Sequence, residues 1–194
     1  LEQAIIQDKR EEKLSFLPLS STNVDSSVTE EEIIKIIDLV KKDFEYILID
    51  SPAGIDGGFQ TAIECASEAI VVVTPEVPSI RDADRVIGIL LSKGIDDINL
   101  VINRVRPNMI RADDMMSIDD VTDILGVTLI GIVPDSEKII VASNRGEPVV
   151  LDDKNCPPGI AFDKTAKRLN GEDVDLFNSK GKNPVRRLMG KIFS

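Results

Sequence analysis

The stretch FEYILIDSPAGIDGG, Phe44 to Gly58, ends an apolar run abruptly at an aspartate and follows it with a proline and three glycines. An acid at the carboxyl end of a buried strand can hold Mg²⁺ directly or through water, and a following glycine lets a backbone N–H approach a terminal phosphate. Asp50 and Gly54 suit those roles. The same residues also read as an Asp-Ser-Pro turn that does no more than end a strand. Three other apolar runs finish in polar or rigid residues: Val73-Thr-Pro75, Ile102-Asn-Arg104 and Val133-Pro-Asp135. A whole edge of a sheet is thereby lined for contact.

The elements that must carry these ends follow from the pattern. Leu14–Leu19, Tyr46–Ile49, Ala69–Val73, Ile98–Ile102 and Val127–Val133 are short, β-branched and mostly bounded by turn residues, which predicts strands. Thr29-Glu-Glu-Glu32 reads as a capping box, followed by Ile33, Ile36, Ile37 and Val40 at helical spacing. Pro78 to Leu91 and Ser117 to Leu125 read as two further helices. The first ten residues, LEQAIIQDKR, read as the middle of an amphipathic helix with no start signal, which suggests a fragment. Near-continuous apolar strands separated by helical crossovers predict an α/β fold with a doubly wound, mostly parallel sheet, helices on both faces and ligands at the strands' carboxyl ends.

Composition narrows the chemistry. With 194 residues and 42% hydrophobic content the chain can bury a core as one domain. Histidine is absent, and Cys65 and Cys156 are far apart with no CxxC, which argues against imidazole catalysis and metal chelation. No apolar run approaches the roughly 18 residues of a membrane span, and no signal peptide is apparent, so a cytosolic chain is expected. The net charge is −11, yet Lys180, Lys182, Arg186, Arg187 and Lys191 crowd a terminal stretch without acids. The acidic body argues against broad nucleic-acid binding.

That terminal stretch has a helical logic of its own. Asn183 can cap a helix with Pro184 at its first position, and Val185, Leu188, Met189, Ile192 and Phe193 then share one face flanked by Arg186, Arg187 and Lys191. It reads either as a helix docked on the protein's own core or as an interfacial anchor for an anionic membrane. Its cationic flank and the polar linker 178–182 favour the anchor.

The stretches DSPAGID, TPEVPSIRDADRVIGIL, VINRV, MMSIDDVTDILGVTLIGIVPDS and ASNRGEPVVLD, in that order and before a basic amphipathic tail, resemble the MinD family of septum-site-determining ATPases, deviant members of the P-loop class. The resemblance runs the length of the chain. It implies a partial ATPase domain over 1–177 and a linker with a membrane-targeting helix over 178–194. Asp50 would be the catalytic acid near Mg²⁺ and the attacking water, with Gly54 beside the γ-phosphate of ATP. Asn103, Arg104, Pro134 and Asp135 would enclose the adenine, although a solvated loop start also accounts for Asn103 and Arg104.

On the second helix, Arg81, Asp82, Asp84 and Arg85 read as a solvated face. The resemblance makes them the surface that meets a MinC-like division inhibitor and a MinE-like or other topological regulator. It further implies a homodimer closed around ATP and reversible attachment to the inner face of the cell membrane. The family's glycine-rich loop, GKGGxGKT, is missing from the 194 residues. Without its backbone N–H groups and lysine nothing cradles the β- and γ-phosphates, so this chain alone is expected to be inactive. A related partition or flagellar-number ATPase and a non-catalytic membrane adaptor are the competing readings.

Overall fold

The computed structural model describes residues 4–18, 30–52, 54–55 and 57–176. The chain forms two compact units, Leu1–Ser67 and Glu68–Ser194. The boundary falls inside the stretch that the sequence reads as one domain, and the tail from 178 lies outside the described residues.

The second unit carries the parallel sheet. Strands β3 (Ala69–Val73), β4 (Ile98–Val105) and β5 (Thr128–Pro134) lie side by side in that order. Val71 and Val73 sit opposite Leu100 and Ile102, and Val101 opposite Gly131. Leu100 and Ile102 are 0% exposed while Val101, pointing the other way, is also buried, so both faces of β4 are covered. α3 (Val77–Ser92) lies against β3 and against α5 (Ile118–Leu125). It starts with Pro78 in its first turn, buries Ile80, Ala83, Ile87 and Leu90, and ends before Gly94, whose φ of +84° only glycine adopts easily.

α5 is nucleated by a capping box: the Ser117 hydroxyl accepts from the Asp120 N–H, and the Asp120 carboxylate accepts from the Ser117 N–H. The other face is closed by α6 (Glu137–Asn144) and α8 (Pro157–Leu169), whose Ile139, Ala161 and Leu169 pack on Val101, Ile130 and Val133. α4 (Pro107–Arg111) and α7 (Val149–Asp152) are short turns between these elements.

The first unit is built differently. β1 (Ile6–Gln7) and β2 (Ser15–Phe16) form a minimal antiparallel pair, so residues 4–10 are no helix segment, and residues 1–3 lie outside the described residues. The Asp8 carboxylate accepts the backbone N–H groups of Arg10 and Glu11 and thereby bends the chain. The strand expected over Leu14–Leu19 is reduced to two residues; Pro18 brings no N–H to a ladder, and Leu19 lies outside the described residues. α1 (Glu30–Val40) forms where the apolar period predicts, although its cap at Thr29 is not among the described residues. It contacts α2 (Gly57–Cys65), which buries Phe59 and Ile63.

The strand expected over Tyr46–Ile49 is corrected outright. The segment joins no sheet among the described residues, and Tyr46 and Leu48 are 58% and 79% exposed. A strand exists only with a neighbour to take its N–H and C=O groups, and an apolar run without one keeps the sequence of a strand but not its structure.

Candidate functional site

In the second unit three parallel strands end together, and the residues singled out there converge. β4 carries an irregularity before Val105, marked by a register shift against β5 and by Arg104 at a φ of +57°. A left-handed arginine in a strand costs on the order of 1–3 kcal/mol, and such strain persists where surrounding structure enforces it. Two bonds do so. The Asn103 side-chain oxygen accepts the Arg104 N–H at 2.8 Å, and the Asp135 N–H donates to the Val105 carbonyl at 3.0 Å.

Asn103 is half-buried; its oxygen accepts the Arg104 N–H through one of two lone pairs, and its NH₂ group has no partner among the described residues. Pro134 ends β5 beside Val105, and Asp135 follows it. The Asp135 carboxylate, its side chain 29% exposed, faces two guanidiniums: Arg106 Nε donates to Oδ2 at 2.5 Å, and Arg104 Nε stands 3.7 Å from Oδ1. Arg106 also reaches the Met109 sulfur. The sequence reading passed over Arg106; a cation at the end of β4, with an acid at the end of the next strand, was the signal.

Asp50 and Gly54 belong to the first unit. Asp50 is exposed and, among the described residues, its carboxylate has no hydrogen-bond or ion-pair partner, which leaves both oxygens free for a hydrated cation. Gly54 sits at a φ of +100°, a conformation that strains any L side chain, so the turn after Asp50 does demand glycine. Gly58 is needed as well: a Cβ there would stand 2.5 Å from Pro52 Cγ. Among the described residues no group of three or more His, Cys, Asp or Glu side chains could hold a metal. A lone carboxylate such as that of Asp50 is the kind of oxygen donor that a hydrated magnesium ion takes.

Arg81, Asp82, Asp84 and Arg85 are all exposed on α3, with no ion pair among the described residues. No described helix is long and apolar enough to cross a membrane. Val185, Arg186, Arg187, Leu188, Met189, Lys191, Ile192 and Phe193 lie outside the described residues.

A parallel α/β sheet with its polar residues gathered where the strands end is the architecture of the MinD/ParA-type P-loop ATPases, and solved structures bear this out. The chain is similar to MinD in the Aquifex aeolicus MinC:MinD cell division protein complex, with a TM-score of 0.82 and 41% identity over 91% of this chain and 71% of that one. It is similar to the septum site-determining protein MinD of Pyrococcus horikoshii, solved with Mg-ADP, with a TM-score of 0.76 and 25% identity over 88% of this chain and 68% of that one. A relative from Emiliania huxleyi bearing the septum site-determining name MinD is 60% identical over 195 residues, 99% of this chain and 72% of its own length. The chain belongs to the septum site-determining MinD family. No family model matches it.

Proposed function

We propose that this chain serves an ATP-dependent peripheral membrane ATPase that places the division septum by bringing a division inhibitor to the membrane. The observation that carries this reading is the 60% identity to a MinD relative along 99% of the chain. The Pyrococcus horikoshii protein was solved with Mg-ADP, and the free carboxylate of Asp50 and the glycine-only turn at Gly54 suit a cation and a terminal phosphate. Within the second unit by itself, Asn103, Arg104, Pro134 and Asp135 are the set suited to a purine base. The Aquifex aeolicus protein was solved with MinC, which supports a MinC-like partner, and the unpaired charges Arg81, Asp82, Asp84 and Arg85 on α3 offer it a surface. A MinE-like regulator would act on the same assembly.

Attachment to the inner face of the cell membrane falls to residues 178–194. Five apolar side chains gain up to ~1.5–3 kcal/mol each when fully buried, less at an interface, while ordering the helix costs roughly 1 kcal/mol or more per residue. One tail therefore binds marginally. An ATP-closed homodimer presents two tails and gains about 10²–10⁴ in avidity, so dimerisation becomes the membrane switch.

The test joins this chain to an N-terminal segment that carries the glycine-rich loop GKGGxGKT. Phosphate release and co-sedimentation with anionic liposomes are measured with and without ATP. Asp50→Ala should lower turnover by about 10²-fold or more. Leu188→Glu or Phe193→Glu should abolish sedimentation and leave turnover in solution. Unchanged turnover in the Asp50 variant, or unchanged sedimentation in the tail variants, overturns the respective assignment.

A further inference from the structure

We infer that Arg106 decides which purine base the strand-end site accepts, by holding the Asp135 carboxylate out of its reach. The inference rests on the reading of Asn103, Arg104, Pro134 and Asp135 as the base site. Guanine presents N1–H and N2–H₂ side by side, a pair of donors that a free carboxylate accepts with two parallel hydrogen bonds. Adenine offers an acceptor at N1 and a donor at N6, so it can give a carboxylate one hydrogen bond where guanine gives two. A strand-end aspartate is thus a guanine-selecting group whenever its oxygens are free.

In this chain that pair is broken. Arg106 Nε donates to Oδ2 at 2.5 Å, so only Oδ1, which Arg104 Nε attracts from 3.7 Å without a hydrogen bond, is open to a base. The left-handed turn at Arg104 and the bond from the Asp135 N–H to the Val105 carbonyl hold the two strand ends in this arrangement. The Asn103 side-chain oxygen accepts the Arg104 N–H, and its NH₂ group can donate to N7, which both purines possess. Selection against guanine falls to the state of Asp135. Arg106, the closer and better directed of the two arginines, sets it, and this makes it a positioning residue that acts through Asp135.

The experiment titrates the full chain, labelled with ¹⁵N, with AMP and separately with GMP to millimolar concentration, and follows the amide shifts of Asn103, Arg104 and Asp135. The parent should respond to AMP more strongly than to GMP. Arg106→Ala should raise the GMP response relative to AMP about tenfold, the scale of one charge-assisted hydrogen bond gained. Arg106→Lys, which keeps a cation on Asp135, should hold the parent order, and Arg106→Ala with Asp135→Asn should lose most of the gain. A purely structural role for Arg106 would weaken both nucleotides alike. If AMP binds at these amides and Arg106→Ala leaves the GMP-to-AMP ratio unchanged, the inference fails alone; if AMP moves none of the three amides, the base-site reading fails and takes the inference with it.

Discussion

Two runs of this chain look nearly alike on paper and have opposite fates. Tyr46-Ile-Leu-Ile49 and Leu100-Val-Ile102 are both apolar, both brief, and both end in a residue fit for nucleotide chemistry, Asp50 in one and Asn103 in the other. Leu100 and Ile102 are fully buried between ladders on both sides, while Leu48 is 79% exposed and its run joins no sheet among the described residues. The difference is a neighbour, not a composition. A strand-like sequence obtains its burial and its backbone hydrogen bonds from the segments beside it, so the same pattern is core in one unit and surface in the other.

The comparison breaks most visibly through truncation. Leu100→Ala or Ile102→Ala should destabilise the second unit by about 2–5 kcal/mol, through lost transfer energy and the cavity left behind. Leu48→Ala should fall within about 0.5 kcal/mol of the parent, because it removes nothing buried. Urea melts followed by far-ultraviolet circular dichroism report the helices, and the single tyrosine, in a chain without tryptophan, makes Tyr46 fluorescence a private reporter of the exposed run. A loss above 2 kcal/mol in the Leu48 variant would show that this run is packed after all.

A glycine pair sharpens the same contrast at smaller scale. A Cβ on Gly131 would collide with Thr165 Oγ1 on α8, and Thr165 is tied to the Ala161 carbonyl at 2.8 Å, so it cannot swing away cheaply. Gly131→Ala should cost about 1–3 kcal/mol, and adding Thr165→Ala should return much of that, a coupling a double-mutant cycle reads directly. At Gly57 in the first unit a Cβ meets nothing within 4 Å, and Gly57→Ala should be close to neutral. Equal costs at both glycines would erase the distinction between packed and open surfaces.

How much of this was legible follows from range. α3, α5 and the three parallel strands were readable because period, caps and turn residues are local: Pro78, Ser117 with Asp120, and Gly126 all act within a turn of where they stand. The strand at 46–49 was misread because its pattern is local while its partner is not. The opening hairpin was missed because one side chain, Asp8, outweighs a weak helical period. Asn103, Arg104, Pro134 and Asp135 lie near one another where β4 and β5 end, a placement that apolar runs closing in polar residues make legible. Arg106 was missed because its meaning depends on an aspartate 29 positions away.

The smallest effect separates local from distant contacts by titration. In the first unit the Asp8 carboxyl is held below its ordinary 3.8 first by the Arg10 backbone N–H and only then by the Arg10 guanidinium. In the second, Asp153 is held below 3.8 first by the hydrogen bond from Lys138, whose own pKa that bond raises above 10.5. The lowered carboxyl contributes stability that is fully present above 3.8 and lost as pH falls through its folded value. The raised ammonium contributes stability that is fully present below 10.5 and lost as pH rises through its folded value. The Lys138–Asp153 pair is therefore felt between those limits and vanishes outside them, and salt should weaken it because both side chains are solvent-exposed. Carboxyl titrations by NMR should show the Asp153 pKa returning most of the way to 3.8 in Lys138→Met, the residue's weaker backbone bonds keeping a little of the shift. Arg10→Ala should leave Asp8 mostly lowered, since a substituted side chain keeps its N–H. If both carboxyls relax equally, the Asp8 turn is held by charge and not by backbone, and the bend at Asp8 rests on the same kind of contact as the Lys138–Asp153 pair.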